Sequence, residues 1–153
     1  MEGDFTMSLE KNKSIVRGFI DAYNERDLAR LDEYVAPDYV DHTNQLRGRE
    51  SLKQVIYMGF KAFPDWHETI EDIIAEGEMV WVRLSYTGTN TGDWRGMAPT
   101  GKRITMTAVD IYRIVDGRLA EYWNVTDALS FFRQLGAIEY TESGRILFPE
   151  GTK

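Results

Sequence analysis

The chain contains no cysteine, which removes disulfides, thiolate nucleophiles and cysteine-ligated metals at once. Its two histidines, His42 and His67, are too few for a histidine-rich metal centre, and no metal is expected. Basic residues are outnumbered, 18 against 25 acidic ones, for a net charge of −7. A surface of that sign repels polyanions, so nucleic acid is not an expected partner. The densest basic group, Lys11, Lys13 and Arg17, reads as a solvated helix face. No apolar run approaches the roughly 20 residues of a membrane helix, so no membrane partner is expected either. Met1 to Met7 has no basic-then-apolar signal pattern; it reads as a flexible tail (1–7), and the expected location is cytoplasmic by default. Gly-rich phosphate loops, nucleophile elbows and zinc-ligand spacings are also missing.

What is present fits an ordinary globular domain. Hydrophobic residues make up 42% and charged residues 28% of 153 residues, enough for one core and a pocket. Ile15, Val16, Phe19, Ile20 and Tyr23 recur at helical spacing and predict a first helix starting near Ser8. Asp27 caps a short second helix carrying Leu28, Leu31 and Tyr34, which Pro37 stops. Arg49 to Phe63 reads as a third helix. The period then switches to alternation, giving strands over Trp66–Ala75, Met79–Asn90, Ile104–Val115 and Arg118–Thr126. The second of these is long enough to require a bend, for which Gly88 and Gly92 are candidates. Asp116-Gly117 is a two-residue hairpin signal. Asp127 and Gly136 bracket a last helix. Helices followed by a meander predict an α+β fold. A single domain over 8–136 and a C-terminal extension over 137–153 are expected.

Several phrases, taken in order, are similar to those of the SnoaL-like polyketide (ester) cyclases. They include Ala36-Pro37-Asp38-Tyr39-Val40-Asp41-His42, Gly48-Arg49-Glu50, Ala62-Phe63-Pro64-Asp65 and Ile70-Glu71-Asp72. Further along they include Gly88-Thr89-Asn90-Thr91-Gly92, Pro99-Thr100-Gly101-Lys102, Arg113-Ile114-Val115-Asp116-Gly117 and Gln134-Leu135-Gly136. The resemblance runs from about Lys13 to Gly136. It implies a cone-shaped barrel of strongly bent antiparallel sheet with three N-terminal helices on its concave side, as in the ketosteroid isomerase-like, nuclear transport factor 2-like superfamily. It implies a small-molecule substrate, no cofactor and a homodimer. One scaffold of this kind serves many activities, so the fold alone leaves the reaction open.

Alternation places Val80, Val82, Leu84, Tyr86 and Asn90 on one face, with Met106, Ala108 and Asp110, and with Ala120, Tyr122, Asn124 and Thr126. Asp110 stands mid-strand among apolar neighbours, where a carboxylate is costly unless it is satisfied or used. Burial would raise its pKa toward the range of acid/base chemistry. Asn124 resembles the position of the cyclases' acid/base aspartate, and an amide cannot exchange that proton. The family often has His where Asn90 and Tyr122 stand, and the cyclases have it at Asp110. The reading that follows makes Asp110 the acid/base, with Tyr122 and Asn124 as donors to a developing oxyanion and Asn90 as a further partner. His42, Tyr39, Trp66, Trp94 and Met97 are expected at the substrate pocket. Three activities stay open: a cyclase or isomerase acting on a polyketide-like or polycyclic carbonyl compound, an epoxide hydrolase or dehydratase, and a non-catalytic binder. An outward set of Trp81, Arg83, Trp123 and Val125 leaves an apolar patch suited to a second copy.

Overall fold

The computed structural model describes residues 2–149, and side chains from Ser8 to Pro149. In chain order the elements are α1 (Glu2–Asn24), α2 (Leu31–Tyr34), β1 (Val35–Asp41), β2 (Leu46–Arg47), α3 (Arg49–Ala62), β3 (His67–Glu76), β4 (Met79–Thr89), β5 (Arg103–Val115), β6 (Arg118–Thr126), α4 (Ala128–Leu135) and α5 (Glu142–Leu147). The first helix starts at Glu2 rather than near Ser8. Met1 and residues 150–153, parts of the expected tail and extension, lie outside the described residues. Among the described residues no helix is long and apolar enough to cross a membrane.

The six strands form one sheet in the order β2-β1-β6-β5-β4-β3. The fold is α+β, but the sheet is neither purely antiparallel nor closed. β1 runs parallel to β6, while β2 and β3 are its edges. A parallel partner so distant in the chain leaves no local trace, whereas the hairpins do: Asp116 and Gly117 both adopt positive φ, 49° and 74°, as the two-residue turn requires.

Two irregularities set which side chains face inward. On β3, Ile70 pairs with Leu84 and Asp72 with Arg83, so Glu71 is an extra residue. The inward set therefore changes parity, from Glu68 and Ile70 to Ile73 and Ala75. On β6, Arg113 pairs with Glu121 and Ile114 with Leu119, leaving Ala120 as the extra residue. Leu119 takes the buried position expected of Ala120. Such bulges bend a strand and re-aim its side chains.

α1 packs on β3 and β4, α3 on β1, and α4 on β5. One core cluster joins Val16, Phe19 and Ile20 of α1 to Val80, Val82, Leu84 and Leu119 of the sheet. Each such fully buried side chain is worth about 1.5–3 kcal/mol. A smaller cluster gathers Phe63, Ile104, Phe131 and Leu135. Trp66 and Met106 pack against both clusters, and the space between them becomes a cavity. Gly88 leaves room for the Trp66 ring, because a Cβ there would lie 2.7 Å from its Cε3. Asp127 caps α4 by accepting from Ser130 N at 3.0 Å, and Gly136 ends it with φ 81°.

Candidate active site

β5 carries Asp110 into the sheet's inner face opposite Val82 of β4 and Asn124 of β6. Its side chain is 3% exposed, and four neighbours satisfy it. Oδ1 accepts from Tyr86 Oη at 3.0 Å, Tyr122 Oη at 3.1 Å and Asn124 Nδ2 at 2.6 Å. Oδ2 accepts from Tyr112 Oη at 3.1 Å. Every one of these donors is an inward position of β4, β5 or β6, so strand alternation alone assembles the set. Burial pushes the Asp110 carboxyl above its ordinary range, against the downward pull of Asn124, Tyr86, Tyr122 and Tyr112. Burial, then the negative charge of Asp110, raises the phenols of Tyr86, Tyr112 and Tyr122. They remain protonated, and so remain donors.

Next to this cluster lies a cavity of about 370 Å³, within the range that takes a small organic ligand. Phe63, Trp66, Trp94, Met106 and Phe131 form its apolar wall, and Tyr86, Tyr122, Asn124 and Thr126 a polar one. Asp110 does not reach the wall; it stands behind Tyr86, Tyr122 and Asn124. The arrangement leaves hydrogen-bonding capacity for a ligand. Three donors crowd onto Oδ1, more than its two lone pairs take well, and Asn124 has a second N–H. The second amide hydrogen of Asn124, which Asp110 does not take up, can be given to a substrate oxygen.

A second carboxylate does reach the cavity. Among the described residues Glu68 is the one acidic side chain on its wall, and Arg95 the one basic. Glu68 lies on β3 opposite Tyr86. Its backbone is fixed from the end of α1: Asn24 accepts from Glu68 N at 2.9 Å and donates to Glu68 O at 2.8 Å. Arg26, with φ 64°, braces the strand's start by donating to Pro64 O at 2.8 Å and Trp66 O at 2.6 Å. The Glu68 carboxylate itself is held only loosely, by Trp66 Nε1 at 3.4 Å. Burial first, then the charge of Asp110, pushes it up to about 8, with Trp66 and Arg26 pulling the other way.

Other residues expected at the pocket lie elsewhere. Trp66 and Trp94 line the cavity with Tyr122 and Asn124, whereas Asn90, His42, Tyr39 and Met97 do not. Asn90 is fully buried but away from Asp110. It donates to Gly92 O at 2.9 Å and accepts from Thr100 N at 2.8 Å, tying the loop between β4 and β5. On β1 the inward residues are Tyr39 and Asp41, both 2% exposed, so the next residue, His42, is sent to the outer side. There its ring stacks on Trp123 with centroids 4.6 Å apart, and Nε2 meets Glu121 Oε1 at 2.9 Å. Tyr39 is absorbed by the core. Met97 pairs with Trp94 across the loop and packs on the smaller cluster. Glu68 on the cavity wall, like the Asp110 donors Tyr86 and Tyr112, is not among the site residues expected from the sequence. The parity of Glu68, shared with Trp66 and Ile70, is the available signal.

The model of the SnoaL-like polyketide cyclase family matches residues 13–135. The chain is 33% identical over 129 residues to aklanonic acid methyl ester cyclase DauD of Streptomyces sp. (strain C5), covering 80% of each chain. It is equally identical over 129 residues to aklanonic acid methyl ester cyclase DnrD of Streptomyces peucetius, covering 80% of this chain and 88% of that protein. Among solved structures, TsrD from Streptomyces laurentii superposes with a TM-score of 0.78 at 30% identity, over 84% of this chain and 97% of that one.

Proposed function

The chain belongs to the SnoaL-like polyketide cyclase family, and from that premise we propose that it closes a ring on a polyketide-like carbonyl compound by cofactor-independent acid/base catalysis. The observation that carries this reading is the donor wall. Asn124 and Tyr122 face an aromatic cavity while a buried carboxylate fixes their orientation. Removing a proton beside a carbonyl leaves an enolate, and preorganised donors aimed at its oxygen stabilise it where water is scarce. Asp110 fills the role of orienting those donors. The flat rings of Trp66 and Trp94 suit a planar substrate, such as the aklanonic acid methyl ester named for the relatives.

Incubation with that ester, followed by mass spectrometry and NMR, tests the reading. The expected product is a ring-closed isomer of unchanged mass. One specific feature favours a second reading: two inward carboxylates beside Tyr and Asn also suit water addition to an epoxide. A product that gains one water, with its oxygen taken from labelled solvent, would replace the first reading by the second. Binding without turnover would leave a ligand-binding domain.

The proposed assembly is a homodimer through the outer sheet face. Cross-strand pairing lines up Ile74, Trp81, Ile111 and Trp123 across β3 to β6, and Trp81 is 48% and Ile74 66% exposed. A self-complementary apolar row of this kind suits a twofold contact. Light scattering is expected to give twice the chain mass, and Trp81→Glu the single-chain mass. A monomeric parent chain would refute the dimer.

A further inference from the structure

Within the ring-closing reading proposed above, we infer that Glu68, not Asp110, is the group that exchanges a proton with the substrate. Asp110 is enclosed by four donors and stands off the cavity wall. Glu68 is on the wall, its main chain clamped by Asn24, and its carboxylate is left with one long contact to Trp66. A proton-transfer group needs reach, a fixed origin and an unoccupied oxygen. Glu68 has all three.

The step balances without a co-reactant. Ionised Glu68 takes the hydrogen from the carbon beside a carbonyl, and the C–H electron pair moves into an enolate whose oxygen accepts from Asn124. The enolate carbon then bonds to a second carbonyl carbon, whose π pair goes to its own oxygen. That oxygen recovers the proton from Glu68, which returns ionised, and the product is an isomer of the substrate. Other charged or titratable groups act on Glu68 from several elements. These are Asp110 on β5, Tyr23 and Arg26 at the end of α1, and Tyr86 and Tyr112 on the sheet. Asp110 is therefore a positioning residue with a second influence, since its charge makes Glu68 a stronger base.

The test follows loss of deuterium from 1-tetralone labelled beside its carbonyl, so that proton transfer is read without ring closure. The wild type is expected to release the label faster than buffer. Glu68→Gln is expected to lower that rate, and kcat on the ring-forming substrate, by about 10²–10⁴-fold, with KM changed less than about threefold. Asp110→Asn is expected to shift the rising limb of the pH–rate profile to lower pH, which a purely structural role would not do. Label release that is absent, or equally fast in Glu68→Gln, overturns the inference. Glu68-dependent release without ring closure keeps the inference and defeats the cyclase reading instead.

Discussion

Asp110→Ala is expected to lower the unfolding free energy by about 2–4 kcal/mol, because several donors lose their acceptor together. Tyr112 is the critical one. It is 2% exposed, and its hydroxyl donates to Asp110 Oδ2, so water has little access to replace the bond. Tyr86, Tyr122 and Asn124 border the cavity, and water entering there recovers part of their loss. Removing a carboxylate also relieves the cost of burying it, which keeps the figure below the sum of four orphaned donors. Asp110→Asn preserves shape and one acceptor oxygen, and the phenols can turn to accept from its amide. It is expected to cost only about 1 kcal/mol. Urea unfolding of the two variants separates these outcomes. Equal losses would mean that the donor cluster carries no stability of its own.

Stability is expected to fall as pH rises, and Glu68 sets the window. Its carboxyl titrates near 8 in the folded protein against an ordinary 4.5. Between those values the folded chain holds a proton that the unfolded chain has released. More protons on the folded state means that the slope of unfolding free energy with pH is negative. The contribution is fully present below the ordinary value and is lost as pH climbs through the folded one. Allowing for solvent reaching Glu68 through the cavity, the loss is on the order of 3 kcal/mol. Asp110, also raised, acts in the same direction. Glu121 is lowered by Arg113 and His42, so its effect falls at acid pH and does not overlap this window. Glu68→Gln should flatten the curve and be the more stable protein at alkaline pH. A parent curve already flat across the window would contradict the assignment.

Local pattern carried most of the fold. The hairpin at Asp116-Gly117, the cap at Asp127 and the stop at Gly136 stand where the sequence puts them, because each depends on residues a few positions apart. The parallel pairing of β1 with β6 and the open sheet depend on contacts between distant segments, which no local period encodes. The same division runs through the site. Asp110, Tyr122 and Asn124 share a face by simple alternation, and their inward placement was legible. His42 follows inward Asp41 and so points outward, a consequence of strand register that the local sequence does not display. Asn90 shares the parity of the inward β4 residues, yet the chain leaves β4 just before it and its amide turns to the loop. Glu68 shares its parity with Trp66 and Ile70, but the bulge at Glu71 reverses the inward set further along β3, so the strand as a whole shows no single inward face.

Carboxyl-carbon NMR titration reads whether Glu68, a carboxyl on the cavity wall, holds its proton near neutral pH. With Glu68 and Asp110 assigned through their Gln and Asn variants, the Glu68 resonance is predicted to titrate near 8 and to move toward lower pH in Asp110→Asn. A Glu68 resonance titrating near its ordinary 4.5, indifferent to Asp110, would contradict a proton held on Glu68 near neutral pH.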